Sequence, residues 1–480
     1  MNHNPPHMNL DETINAWLAP VADWLGKVVF FSVPVGGAQL PLIMAWLIMG
    51  GIACTIAFRF VNLRGFRHSI RVIRGDYSNK SAAGEASPFQ ALSTAVSGTV
   101  GLGSIGGVAV AVSLGGPGAT LWMMLAGFLG MSTKFAEVTL AVKYRKVRPD
   151  GTVTGGAMYY VPIALARVGL PRLGKFLAGF FCVAAIGGSV TIFQVSQAYS
   201  QVHAVTGFNQ AFVFGCLVAV WIGIVLFGGV QRIVKWTDKL SPFMCLLYIA
   251  ACLVVLAVNL SNIPAALATI VREAFVPDAV AGGVVGALIQ GFRRAAFANE
   301  AGVGSAPMAH ATVRTNEPMS QGFAALMEPF LDTIIICLLT ALVIVVSGVN
   351  HTSSSVGIAL TSDAFATVVP WFPAVLAVVA VLFALSTVLA WGYYGEQAWT
   401  WLFSESKQSR AAFRLFLCGM LSIAATFPLD QVVNIVDSCS FCMAIPNLIA
   451  VYLLMPELRA DLASYWQRVV VRGEGKVNVA

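Results

Sequence analysis

Runs of about 18 or more apolar residues recur along this chain, and each is long enough to cross a hydrocarbon core of about 30 Å. Charged residues make up only 11% of the sequence, less than half the share of about 25% in a soluble domain. The apolar excess therefore has to face lipid. The runs are continuous and do not alternate at period two, which selects helices over the strands of a membrane barrel. A helix also satisfies its own backbone groups, as any element standing in lipid must. The fold class expected is an all-α polytopic membrane protein.

Spans are expected at 40–60, 87–115, 117–143, 173–200, 209–229, 239–258, 281–311, 318–347, 373–402, 411–427 and 431–455, about 11 in all. A stretch at 12–33 with Trp17, Trp24, Phe30 and Phe31 reads as interfacial. Basic residues gather in alternate loops. Arg59, Arg64, Arg67, Arg71, Arg74 and Lys80 follow the first span, and Lys143, Arg145, Lys146 and Arg148 follow the third. Arg232, Lys235 and Lys239 follow the fifth, Lys407 and Arg410 the ninth, and Arg459, Arg468 and Arg472 the last. These loops fall on one side, and the positive-inside rule makes that side the cytoplasm. The N-terminus is then outside, the C-terminus inside, and the setting a bacterial inner membrane. The net charge of +7 is thus an orientation signal, and no nucleic-acid partner is expected.

Other classes find little support. The nine cysteines are scattered through apolar runs and give no disulfide framework; Cys439 and Cys442 read as small residues on a helix face. The first residues lack the basic and apolar regions of a cleavable signal peptide. No HExxH motif, nucleophile–base set or glycine-rich phosphate loop is present, which argues against an enzyme or an ATP-driven pump. A channel would show charged rings or filter repeats.

Two segments interrupt the apolar pattern. Residues 97–107 read SGTVGLGSIGG and residues 297–305 read FANEAGVGS. Glycine costs a helix interior about 1 kcal/mol relative to alanine, so an unwound stretch is expected in each. Such backbone survives at membrane depth only when buried in protein or lining a watery cavity. Apart from the first span, the other ten divide into five and five, over 87–258 and 281–455, between a segment 1–39 and a tail 456–480. Each half opens on a broken helix, and the two enter from opposite sides. Paired breaks in inverted halves point to a transporter binding site.

The exposed ends of a broken helix offer amides to an anion and carbonyls to a cation. A zwitterionic amino acid presents both charges. Amides near Gly101, Leu102, Gly103 and Ser104 are the candidates for its carboxylate. Carbonyls of Ser97 and Val100, with the hydroxyls of Ser386 and Thr387, suit sodium, which as a hard cation prefers oxygen. Those hydroxyls are equally suited to bonding back along their own helix. Asn299, Glu300 and Asp332 are polar groups at membrane depth. The plainer reading pairs Glu300 with Arg293 or Arg294 and makes Asp332, beside Thr333, a tie between helices. Gln194 reaches either the cavity or a neighbouring helix, and Trp391, Tyr393 and Tyr394 either wall the pocket or pack.

The stretches SGTVGLGSIGGVAVAVSLGGPGA, LGMSTKFAEVTLAVKYR, GGAMYYV, FANEAGVGSAPMAHA, FLDTIIICLLTALVI, FALSTVLAWGYYGE and MAIPNLIA together resemble the alanine or glycine:cation symporters over about 87–455. The resemblance implies sodium-coupled uptake of alanine or glycine on a LeuT-type fold of two inverted five-helix repeats, with one extra N-terminal span. The first break also resembles the VGLGN break of LeuT-type neurotransmitter:sodium symporters. By that match the amides of Leu102 and Gly103 would hold the carboxylate and the carbonyls of Thr99 and Phe297 would face the amine. Ser97, Val100, Ser386 and Thr387 would bind one sodium. The chain departs from the family at this site. Leu102 stands where threonine is common, Ser104 and Ser196 where asparagine is, and Ala298 where serine is. Ser104 and Ala298 remove oxygens a second sodium would use, so one coupled sodium is expected. Proton coupling through Glu300 or Asp332 is the alternative. No cofactor is expected, and no oligomer is required.

Overall fold

The computed structural model describes residues 20, 23–35, 38–77, 81–149, 151–276, 283–427 and 429–474. Trp17 and most of the first 39 residues lie outside these; Trp24 and Phe31 are exposed. A two-stranded hairpin, β1 (Ser32–Val35) and β2 (Ala38–Pro41), precedes the first long helix. That helix, α1, spans Leu42–Ala57, shorter at both ends than the run 40–60. A short basic helix, α2 (Phe66–Arg74), follows.

Next come α3 (Pro88–Thr99), α4 (Val108–Gly115), α5 (Ala119–Lys143), α6 (Ala157–Arg167), α7 (Pro171–Ser189), α8 (Ile192–Thr206), α9 (Ala211–Leu226) and α10 (Val230–Val258). After α11 (Ile263–Phe275) a related order begins with α12 (Gly283–Asn299), α13 (Pro318–Ser347), α14 (Ile358–Ala366), α15 (Phe372–Leu402), α16 (Lys407–Ala424) and α17 (Leu429–Tyr465). In both stretches a broken helix leads into a long one, then a short one, then three more, with α7 and α8 forming the single run Pro171–Thr206.

Local sequence explains several boundaries. The start of α3 is fixed by Ser87 and Gln90, whose side chains each take the other's backbone amide, with Pro88 in the first turn. Arg232, Lys235 and Lys239 lie within α10, which starts at Val230 and not at 239. The last helix runs well past 455, to Tyr465 and on through a π-helical stretch, Trp466–Val471.

Six helices among the described residues are long and apolar enough to cross a membrane: Ala119–Lys143, Pro171–Thr206, Val230–Val258, Pro318–Ser347, Phe372–Leu402 and Asn434–Val471. Joined, α3 and α4 make a seventh, bent by 52°. The other expected spans are shorter or more polar. α1 and α9 have 16 residues each, α12 carries Arg293 and Arg294, and α16 carries Lys407, Arg410 and Arg414.

The broken segments sit at the centre of the packing. α5 packs on α12 and α13, while α15 packs on α3, α7 and α8. Small residues let the backbones close in: a Cβ at Gly130 of α5 would stand 2.8 Å from that of Ala301 in the second break.

Candidate functional site

The first break is narrower than its glycines suggest. α3 ends at Thr99 and Val100 is extended (φ −75°, ψ 92°). The chain then re-enters helix through a π-helical turn, Gly103–Gly107, ahead of α4. Only residues 100–102 lie outside helical structure. The amide of Ser104 donates to Gly101 O at 3.1 Å, and those of Gly106 and Gly107 to Leu102 O. Among the described residues no backbone amide takes the carbonyls of Thr99 or Val100, so both are open to a cation or an ammonium group.

The Leu102 amide, expected for the carboxylate, donates to Gln194 Oε1 at 2.9 Å. Gln194 thus reaches the break and occupies one anion-binding donor. Ser104 is a correction: its amide is already given to Gly101 O, and its hydroxyl donates to the carboxylate of Asp332 on α13, which also accepts from Thr333 at 2.9 Å. The π-helical turn rotates Ser104 away from the cavity.

The second break follows Asn299. Glu300 has φ 54°, and Gly302 and Gly304 have φ 91° and 85°. A left-handed glutamate is uncommon, and its neighbours hold it. Trp391 Nε1 donates to Glu300 Oε1 at 2.8 Å, the Ser305 hydroxyl donates to Oε2, and Lys134 Nζ donates to Glu300 O at 3.1 Å. Beyond α12 only one further turn, Pro307–His310, is helical before α13, so 281–311 is half a helix and a long irregular segment.

Two expectations fail here. Asn299 turns from the cavity, donating to Thr333 at 2.9 Å and accepting the Ala301 amide. That last bond caps α12 and releases the Phe297 carbonyl from its helical partner. Glu300 does not pair with Arg293 or Arg294. Both arginines bind Asp437 of α17, Arg293 at 2.9 Å, because they lie on the earlier turns of α12 that face α17.

The residues expected around sodium do converge. The Ser97 hydroxyl contacts that of Ser386 and donates to Ser386 O at 2.9 Å. The Thr387 hydroxyl donates to Ser97 O at 3.1 Å instead of back along α15. All three residues are buried, as is Val100 beside them.

Between the breaks lies a cavity of about 20 Å³, room for about one water. Thr99, Gly103, Gln194, Phe297 and Glu300 line it with Thr387 and Trp391. Of the other expected substrate residues, Gly101 and Leu102 sit behind it, while Ser104 and Asn299 face away. The breaks nearly touch: a Cβ on Gly103 would stand 3.2 Å from the Phe297 ring. That ring meets Phe193 edge-on at 5.3 Å, and the Arg294 guanidinium lies 5.3 Å from it.

Sequence reasoning missed a buried polar cluster behind the second break. Lys134 Nζ lies 3.2 Å from Glu328, which also meets His310 at 3.2 Å; His310 contacts Gln321 at 2.7 Å. Asn447 joins Glu137 and Tyr160 and donates to Gly302 O at 2.8 Å. The signal was a lysine and a glutamate inside the expected span 117–143, a costly placement that marks a role.

The fold and the paired breaks define a multi-pass secondary transporter rather than an enzyme. The solved structure of MhsT in complex with L-phenylalanine covers 80% of this chain and 89% of its own, at TM-score 0.52 and 15% identity, and places the chain in the LeuT-type fold. The sodium:alanine symporter family matches residues 30–478, and the chain belongs to that family. It is similar to the sodium/alanine symporter AgcS of Methanococcus maripaludis, at 36% identity over 86% of this chain and 92% of that one. The probable sodium/glutamine symporter GlnT of Bacillus subtilis is 34% identical over 88% and 87%. The putative sodium/proton-dependent alanine carrier YrbD of the same organism is 33% identical over 85% and 84%.

Proposed function

We propose that this chain imports a small neutral amino acid, alanine or glycine, together with one sodium ion across a bacterial inner membrane. The observation that carries the reading is the meeting of two helix breaks across one small buried cavity, with the oxygens of Ser97, Ser386 and Thr387 beside it. Residues 87–258 and 281–455 act as two inverted five-helix repeats, with 40–60 as an extra span, the N-terminus outside and the C-terminus in the cytoplasm. They rock about the site to expose it to each side in turn.

The substrate carboxylate sits at the amide of Gly103, with that of Leu102 joining when Gln194 moves aside. The ammonium group faces the freed carbonyls of Thr99 and Phe297 and the carboxylate of Glu300. Phe297 and Trp391 on the wall of so small a cavity favour a substrate with a small side chain. Sodium takes the carbonyls of Ser97 and Val100 and the hydroxyls of Ser386 and Thr387. Arg293, Arg294 and Asp437, with the Phe193–Phe297 pair, close the outer side. Lys146 and Arg148, at 3.3 and 3.1 Å from Glu405, clamp the inner side.

Proton coupling is the second reading. It is favoured by Glu300, a buried carboxylate on the cavity wall whose neighbouring Lys134 binds its backbone carbonyl. Uptake into proteoliposomes, driven first by a sodium gradient and then by a pH gradient alone, tests the two. The proposal expects alanine or glycine to accumulate with sodium; accumulation only under the pH gradient would reverse it.

A further inference from the structure

We propose that a groove between the end of α1 and the end of α17 binds one anionic phospholipid, its phosphate held by Arg59, Arg64 and Arg459. The groove encloses about 490 Å³. Its walls are apolar, from Ala57, Val61, Ala460 and Leu462, while the three arginines, Trp466 and Gln467 line its polar part. It joins the extra N-terminal helix to the last helix of the second half.

Charge decides the occupant. No carboxylate lines the groove. The carboxylates nearest in sequence on α17 are engaged elsewhere: Glu457 with Lys143 and Arg167, and Asp461 with Lys143. Among the described residues none of the three arginines has an ion-pair partner. The Arg64 guanidinium lies over the Trp466 ring at 4.8 Å, and tryptophan favours the level of lipid headgroups. The chain bends here at some cost, since Arg59 and Phe60 adopt φ 51° and 56°, conformations uncommon outside glycine. That turn ends α1 and presents Arg59 at the groove.

Guanidinium forks match the oxygens of a phosphate, and basic pockets between spanning helices suit anionic headgroups. Free phosphate would leave the apolar wall uncovered. A zwitterionic lipid would bring its own cation against three arginines. An anionic phospholipid satisfies both halves of the groove. A second basic groove, of about 470 Å³ at Arg232, Lys235 and Trp236, is a weaker candidate, because Arg232 folds back onto Ile224 O at 3.0 Å.

The test is quenching of Trp466 by lipids with brominated chains, in the purified full-length protein. Subtracting the signal of Trp466→Phe isolates that residue. Brominated phosphatidylglycerol is expected to quench at about a tenth of the concentration needed for brominated phosphatidylcholine. The preference should vanish in Arg59→Gln/Arg64→Gln/Arg459→Gln and persist in Arg172→Gln/Lys175→Gln. Inorganic phosphate at equal concentration should not relieve the quenching. Equal quenching by both lipids, an unchanged preference in the triple variant, or relief by phosphate would each overturn the proposal. Should the triple variant fail to fold, the comparison of lipids on the wild-type protein decides it.

Discussion

The hydroxyl of Thr387 donates a hydrogen bond to the carbonyl of Ser97 across 3.1 Å, joining the middle of α15 to the last turn of α3. Helices from opposite halves of the chain thus share one buried set of oxygens. In the proposed cycle a sodium ion bridges them. Thr387→Ala removes one ligand and should raise the sodium concentration needed for half-maximal uptake about tenfold, equivalent to about 1.4 kcal/mol. The check is a sodium titration of uptake at matched membrane expression, and an unmoved midpoint would remove Thr387 from the site.

Gly101 is the tightest position in the first break. A Cβ there would stand 2.5 Å from Thr387 Oγ1 and 3.0 Å from Gln194 Oε1. Gly101→Ala should therefore abolish sodium-stimulated substrate binding while the protein still inserts and purifies. Gly419→Ala, on a helix face with nothing within 4 Å, should bind normally. Equilibrium binding of radiolabelled alanine compares the two.

Lys134 is fully buried between Glu328 and the Glu300 carbonyl. Breaking a buried ion pair from one side costs about 3 kcal/mol or more, because the other charge is left alone. Lys134→Met should lower the thermal midpoint in detergent sharply, and adding Glu328→Gln should restore part of the loss. An unchanged midpoint in Lys134→Met would show that the pair contributes nothing.

His68 lies on α2, against Tyr465 at 2.9 Å. Burial pushes its imidazole down from 6.5 to about 4. The folded protein keeps it neutral while the unfolded chain protonates near pH 6.5. Its contribution is therefore fully present above pH 6.5 and is lost as pH falls from there through about 4. The thermal midpoint should drop over that window, and His68→Gln should flatten the drop.

The breaks were legible because glycines at mid-span have few other uses, and Gln194 because a glutamine inside lipid needs a partner. The meeting of Ser97 with Ser386 and Thr387 was legible from two adjacent hydroxyls at the middle of an apolar span and from the family resemblance, which pointed to the same helix. The Ser104 amide was misread because the chain re-enters helix through the π-helical turn 103–107 and gives that amide to the Gly101 carbonyl, which α-helical spacing cannot anticipate. Asn299 was misread because the end of α12 needs an acceptor for the Ala301 amide, and that side chain supplies it. The partner of Arg293 and Arg294 is Asp437, more than 140 residues away; only tertiary packing brings them together.

Binding of radiolabelled alanine to the purified protein, titrated with sodium against a choline background, tests most directly that one cavity takes both solutes. Because coupling between two ligands is reciprocal, alanine affinity should rise with sodium along a curve for a single ion and be lost in choline alone. Alanine binding of equal strength in choline and in sodium would contradict it.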